Sequence, residues 1–224
     1  MIDRIAALKA QHLYESTLFI VSAKHGQSPI NPAKVNKPGH FADLVASVAA
    51  ATHTTADPGA VAIANANACA TGSCGFVQDD DIALIWLQDQ TQTAAVAAYL
   101  NAHAKELFID EVMAGAEINL KFNNPLTDSR TPDVIVQPIY GTIYTASAAK
   151  NAEHGGFSFG DTNVGLIVSN PGLHAAVVKT PVATSQVAPS ILKALGINPN
   201  ELISVQKEHT QPLPFPGNND NDDE

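Results

Sequence analysis

Residues 19–29 of this 224-residue chain read FIVSAKHGQSP, an apolar run that ends in a polar, glycine-containing turn. The run extends back to residue 17 and is too short for a helix, so residues 17–22 are predicted to form a strand buried on both faces. His25 and Gly26 follow this strand closely. Because open α/β sheets place their chemistry beyond the carboxyl ends of their strands, we expect the turn to be functional.

A second apolar run, VGLIVS at residues 164–169, has the same character and closes with a turn at residues 170–172. A second His-Gly step, the EHGG of residues 153–156, precedes it. Imidazole is the commonest metal ligand in proteins, and a neighbouring glycine lets the backbone turn tightly. Either histidine alone is typical of an ordinary loop, but their shared surroundings make His25 and His154 candidate metal ligands.

Strand and helix patterns alternate along the chain. The predicted elements are helices at residues 1–13, 40–53, 91–107 and 184–195 and strands at residues 17–22, 82–87, 134–136 and 164–169. Residues 57–75, rich in alanine, glycine and asparagine, are predicted to be irregular. This alternation predicts an α/β fold, a mostly parallel sheet flanked by helices, with a small satellite sheet formed near residues 80–110.

Length and composition favour one domain over residues 1–209, followed by a disordered acidic tail at residues 210–224.

The formal net charge is −10, from 22 acidic and 12 basic residues. Such a chain is expected to bind neither nucleic acid nor an anionic membrane surface. We also expect no transmembrane helix, because no run of eighteen apolar residues exists, and no signal peptide, because residues 1–13 read as an amphipathic helix. The Asp79-Asp80-Asp81 run is predicted to be a solvated turn.

The two cysteines, Cys69 and Cys74, are spaced C-x4-C. Without a second pair of ligands this spacing is a weak zinc signal. Two interpretations of the cysteines stay open: a disulfide that closes a short loop, or two free thiols. Both are favoured over a metal site.

Residues 19–29 and 133–173 together resemble two motifs of the alkaline-phosphatase superfamily, in particular its type I phosphodiesterase / nucleotide pyrophosphatase proteins. The first resembles a family strand followed by Asp-His-Gly, and the second resembles a later His-Gly step before a buried strand. Residues 184–195, TSQVAPSILKAL, resemble the closing helix of the family. The resemblance covers about residues 16–203 and implies the C-terminal part of the family fold.

The resemblance implies a hydrolase of phosphoric esters in which two metals polarise the phosphoryl oxygens, with His25 at one metal and His154 at the other. Their rings are therefore expected to approach one another at one end of the sheet. The family's aspartate before the first histidine is Lys24 here, and an ammonium group does not ligate a metal unless it is deprotonated. We expect Lys24 to offer its charge to a phosphate or sulfate oxygen, as sulfatases of the superfamily use lysines near one metal.

The expected site is thus reduced or remodelled, and holds zinc, another divalent metal or no metal. The family's nucleophile and other ligands precede the segment that matches His25, where this chain has only residues 1–24. We therefore expect a fragment or truncated relative, whose uncovered sheet edge makes a homo-oligomer. The sequence does not determine the cellular compartment. Relatives in the family are often periplasmic or secreted.

Three functions are carried forward, with a small phosphoester or ester as substrate. The first is phosphoric ester hydrolysis. The second is a non-catalytic truncated scaffold or binding module, and the third is a carboxylesterase-like hydrolase that uses a local serine, Ser28 or Ser158. The candidate catalytic residues are Lys24, His25, His154 and Ser28.

Replacing Lys24 with alanine is expected to lower any phosphatase activity by about 10²–10³-fold, the usual effect of removing one group that stabilises a developing oxyanion. Hydrolysis of nitrophenyl phosphate by the wild type and by Lys24→Ala measures the effect. Undiminished turnover would remove Lys24 from the mechanism.

Overall fold

The structure is a computed structural model that describes residues 2–28, 31–69 and 75–214, apart from the side chains of Ile2 and Pro32. It divides into a larger unit, His25–Asn163, and a smaller unit made of Met1–Lys24 and Val164–Glu224. Within the described ranges, no helix has the length and apolar character needed to cross a membrane. The predicted disordered tail falls mostly on residues 215–224, which lie outside the described residues.

The described elements are, in chain order, α1 Ile2–Ala10, β1 Phe19–Ser22, α2 Phe41–Ala51, α3 Pro58–Asn67, β2 Phe76–Asp79, β3 Ala83–Trp86, α4 Thr93–Ala102, β4 Ile109–Ala114, β5 Val134–Pro138, α5 Phe159–Thr162, β6 Leu166–Ser169, α6 Val187–Ala194 and α7 Ile203–Glu208. Short 3₁₀ turns lie at Pro32–Lys34, Gln90–Gln92, Gly115–Leu120, Thr184–Gln186 and Pro199–Glu201.

The larger unit is built on a four-stranded sheet with the order β2-β3-β5-β4, in which every neighbouring pair is antiparallel. Strand β5 is buried along its whole length, and β3 buries alternate residues. Helices α2, α3 and α4 supply the other side of the main core. Its fully buried side chains include Phe41, Ile63, Ile85, Val96, Leu100, Val134 and Tyr144.

The smaller unit contains a two-stranded antiparallel sheet in which β1 pairs with β6. Phe19 lies opposite Ser169, and Ser22 lies opposite Leu166. Both strands are partly exposed, with Ile167 at 64% exposure. Near the end of the described chain, Leu213 is buried and its backbone N–H donates to Ser190 Oγ at 2.7 Å.

The prediction of a mostly parallel sheet is wrong, because the described strands form two sheets that are both antiparallel. The runs at residues 17–22 and 164–169 do form strands, but they pair with each other instead of lying inside a larger sheet. A short apolar run indicates that a strand forms and carries no information about its direction or its neighbours. Apolar composition alone does not establish that a strand is buried on both faces, and so it does not establish parallel pairing.

The prediction that residues 57–75 are irregular is also wrong, because α3 occupies Pro58–Asn67. The helix has a standard start: the Asp57 carboxylate accepts from the Gly59 backbone N–H at 2.8 Å, and Pro58 takes the first turn. Just beyond the helix, Cys69 is disulfide-bonded, which agrees with one of the two open alternatives. Cys74 lies outside the described residues.

Gly59 is required where α3 approaches α4. A Cβ at this position would lie 2.5 Å from the Ala95 carbonyl oxygen and 2.6 Å from Tyr99 Cβ. Gly59→Ala is therefore expected to lower the free energy of unfolding of the larger unit by about 1–3 kcal/mol. Urea unfolding followed by the fluorescence of the single tryptophan, Trp86, measures this change.

Asn65→Ala, on the exposed face of the same helix, is the matched control and should leave the unfolding midpoint nearly unchanged. Equal midpoints for the Gly59 variant and the wild type would contradict the close packing of α3 on α4.

Candidate active site

The rings of His25 and His154 stack on one another, with centroids 4.1 Å apart and planes 4° from parallel. The prediction that these two histidines approach one another is thus confirmed. His25 Nδ1 lies 2.8 Å from the Gly26 carbonyl oxygen. Because a carbonyl oxygen only accepts, this nitrogen carries the proton and donates, which leaves Nε2 as the lone-pair nitrogen of the neutral ring. The His154 side chain is 47% exposed.

Backbone hydrogen bonds join the two histidine segments. Ser28 and Glu153 exchange both of their backbone N–H···O bonds, each 3.0 Å long, and the Gly26 N–H donates to the Asp161 carbonyl oxygen at 2.7 Å. A Cβ at Gly26 would lie 1.9 Å from the carbonyl oxygen of Gly160. The glycine of the first His-Gly step is therefore needed for the backbones to meet.

The glycines of the second step have separate roles. Gly155 adopts φ +106°, a region that other residues rarely enter. Gly156 is packed against two carboxyl groups: a Cβ here would lie 2.6 Å from Asp81 Oδ2 and 2.7 Å from Asp161 Oδ2. The EHGG segment thus turns at its first glycine and lies on an acidic pair at its second.

Asp81 and Asp161 are both buried, at 2% and 3% exposure. Asp81 Oδ2 and Asp161 Oδ1 find no hydrogen-bond partner in the described part of the chain, whereas Asp161 Oδ2 accepts from Ser158 Oγ at 2.5 Å. Burial and the neighbouring Asp161 carboxyl raise the pKa of Asp81 to about 8, and the charge of Glu153 adds to the rise. A hydrogen bond from the Gly156 backbone opposes part of it. Asp81 therefore favours its protonated form at neutral pH.

Lys150 ties the same segment to the acidic turn. Its Nζ lies 2.9 Å from Asp80 Oδ1 and also contacts the Glu153 carboxylate. These two carboxylates hold the pKa of Lys150 above its ordinary value. Glu153 Oε2 is in turn 3.7 Å from His154 Nδ1. Charge around the two imidazoles is therefore organised as an acid–base–acid chain.

The described residues do not fit a complete zinc centre. Zinc binds imidazole nitrogen in the ring plane at about 2.0–2.1 Å and takes four ligands in structural sites or three protein ligands in catalytic ones. Two parallel, stacked rings cannot both direct their lone pairs at one ion. No three His, Cys, Asp or Glu side chains of the described ranges are grouped to hold a metal. No catalytic step is accordingly derived through a metal.

The other predicted site residues have different surroundings. Ser28 is 5% exposed and its backbone is engaged with Glu153. Ser158 donates to Asp161, and neither serine side chain hydrogen-bonds to a histidine among the described residues. Lys24 is exposed and ends the first segment of the smaller unit.

Asp81 and Asp161 were not found from the sequence. The prediction of a solvated turn is wrong for Asp81, which is buried, while Asp79 accepts from the backbone N–H of Phe41 at the start of α2. A run of three aspartates is ordinarily exposed, so composition favoured the opposite conclusion. The glycine pair at residues 155–156 was the only local sign of a crowded site.

The fold matches solved structures of the alkaline-phosphatase superfamily. Human ectonucleotide pyrophosphatase / phosphodiesterase 5 (ENPP5, NPP5) is similar with a TM-score of 0.52 and 12% identity, over 95% of this chain and 46% of its own. Alkaline phosphatase PafA is similar with a TM-score of 0.54 and 18% identity, over 88% of this chain and 38% of its own. A substituted form of PafA is similar with a TM-score of 0.52 and 17% identity.

This chain therefore has part of the alkaline-phosphatase-superfamily fold, and the resemblance inferred from the sequence is confirmed at that level. It spans less than half the length of the structures it matches. No protein-family model matches the sequence, and no curated protein matches it.

The raised pKa of Asp81 predicts a pH-dependent stability. A proton bound only by the folded chain stabilises it, so the free energy of unfolding should fall as the pH rises from about 4 to about 8, and then level off. Asp81→Asn, which is neutral throughout, should remove this part of the slope. Urea unfolding at a series of pH values, followed by Trp86 fluorescence, measures it.

Asp110→Asn changes an exposed aspartate of the same unit and should keep the wild-type slope. A slope that is the same in wild type and Asp81→Asn would contradict the shared proton.

Proposed function

We propose that this chain acts in the hydrolysis of phosphoric esters, as the part of an alkaline-phosphatase-superfamily hydrolase that carries His25 and His154. The observation that carries the proposal is the stacking of these two histidines, which are distant in sequence, within a matching fold. The similar structures are named as a pyrophosphatase / phosphodiesterase and an alkaline phosphatase. Phosphoric esters are the substrate class that these names share.

The two imidazoles supply the nitrogens that such a site requires. His25 presents Nε2 as its lone-pair nitrogen, and His154 is half-exposed beside it. The described residues lack a third donor at this place. A divalent metal such as zinc is therefore proposed only in the arrangement that the resemblance implies, with His25 at one metal and His154 at another, and a metal-free site stays open.

An open groove beside the EHGG segment suits the organic part of a small ester. The groove has a volume of about 950 Å³. Gly155 and Phe157 line it next to His154, and Leu84, Trp86 and Ile135 contribute apolar wall. An apolar alcohol group of a small ester is the proposed occupant of this groove.

Self-association is proposed as part of the same function. The smaller unit exposes apolar side chains on its two-stranded sheet and on its last helical turns: Val21 is 42% exposed, Ile167 64% and Leu195 67%. Uncovered strand edges and apolar surface favour pairing with another chain. A second copy of this chain is the proposed partner, and sedimentation at micromolar concentration tests it.

A non-catalytic scaffold or binding module is the second candidate. It is favoured by the lack of a third metal donor among the described residues. An esterase that uses a local serine has less support, since Ser28 is buried and Ser158 donates to a carboxylate.

His25→Ala and His154→Ala are each expected to lower kcat/KM for nitrophenyl phosphate by at least about 10²-fold, because each removes one of the two imidazoles of the proposed site. The assay compares both variants with wild type, with and without added zinc. His174→Ala, an exposed histidine of the smaller unit, is the control and should keep wild-type activity.

Phosphatase activity that is absent from the wild type, or equal in the wild type and the double histidine variant, would favour the scaffold. Hydrolysis of nitrophenyl acetate that depends on Ser28 or Ser158 would favour the esterase.

A further inference from the structure

Asp161 contacts both histidine segments, beside the backbone pairing of Ser28 with Glu153. Its backbone carbonyl accepts from the Gly26 N–H at 2.7 Å, one residue from His25. Its side chain accepts from Ser158 Oγ at 2.5 Å and faces Asp81 across Gly156, two residues from His154. Displacement of Asp161 would therefore disturb the positions of both imidazoles.

The Asp81–Asp161 pair is short of partners. Each carboxyl is at least nine-tenths buried, and each keeps one oxygen without a hydrogen bond to the described residues. Lys150, which lies beside this segment, is engaged by Asp80 and Glu153. The Glu153 charge adds repulsion to the pair.

Two buried carboxylates side by side, without a cation of their own, are unstable. A single proton held between them removes one charge and supplies one donor. The backbone N–H of Gly156 bonds to Asp81, and the Ser158 hydroxyl donates to Asp161.

We infer that Asp81 and Asp161 are positioning residues: as a carboxyl pair that shares one proton, they hold the EHGG segment against the segment that carries His25. Gly156 is the contact surface between the pair and the histidine segment. Neither aspartate touches substrate in this account, and each acts through the placement of His25 and His154.

The arrangement is expected to depend on pH in one direction. While the pair keeps its proton, the segments stay joined and the rings stay stacked. Loss of the proton in alkaline solution leaves two facing carboxylates, which separate and release the EHGG segment. The relevance of this pH dependence to catalysis rests on the proposed function. The contact between the two rings can be measured without any enzymatic activity.

The test is the nuclear Overhauser effect between the two imidazoles in the whole chain, labelled with isotopic histidine and assigned with His25→Gln and His154→Gln. Spectra are recorded at about pH 7 and about pH 10, on either side of the pKa of about 8 for Asp81. The wild type should show the ring-to-ring effect at the lower pH and lose it at the higher one. Asp81→Asn and Asp161→Asn, which imitate the protonated pair, should keep it at both.

Asp110→Asn, the exposed aspartate, should behave as the wild type. In Asp161→Ala, the ring-to-ring effect should be absent at both pH values, while Trp86 fluorescence should show that the main core of the larger unit is still folded. This result would mean that the carboxyl pair positions the two rings and is not needed to fold the core.

A wild-type effect that persists unchanged to the higher pH would overturn the inference. So would asparagine variants that lose the contact together with the wild type. Restoration of the wild-type contact at high pH by calcium or zinc would mean that the pair holds a cation instead of a proton. Failure of the phosphatase assay with these NMR results intact would count against the proposed function only.

Discussion

The hydrogen bond from the Gly26 amide to the Asp161 carbonyl is the contact on which the histidine pair depends. It joins two segments that are distant along the chain, because all four strands of the larger sheet and helices α2, α3 and α4 lie between them in the sequence. Its 2.7 Å length is possible because position 26 carries no Cβ. The neighbouring exchange between Ser28 and Glu153 then fixes the register of the two segments. The imidazole stack is the result of this backbone pairing.

Charge around this contact is arranged in two layers. The outer layer is the chain of Asp80, Lys150 and Glu153, in which Asp80 and Lys150 are partly exposed and screened by solvent while Glu153 is buried. The inner layer is the pair of Asp81 and Asp161, where burial makes an unpaired charge costly. The inner layer is therefore the one that we propose holds the segment in place.

The parts of the fold that follow from local pattern were predictable. The two His-Gly steps marked the two segments that meet, because glycine beside histidine indicates a backbone that must turn or approach closely, as Gly155 and Gly26 do. Strands near residues 82–87 and 134–136 also appear as β3 and β5. Strand direction was not predictable, because the apolar run at residues 164–169 pairs with β1 only through long-range contacts.

The carboxyl pair lay beyond prediction for the same physical reason. Nothing near Asp81 in the sequence distinguishes it from Asp79 and Asp80, and its burial arises from segments some eighty residues away along the chain, at Gly156 and Asp161. An aspartate becomes a positioning residue only when tertiary packing removes it from water. A pattern of residue types cannot report that change.

The most direct test of the account is the separation of the His25 and His154 rings in a crystal of the whole chain at neutral pH. The account predicts stacked rings with centroids about 4.1 Å apart, and the Gly26 amide bonded to the Asp161 carbonyl. Rings on separate surfaces, with the carboxyls of Asp81 and Asp161 each exposed to solvent, would contradict it.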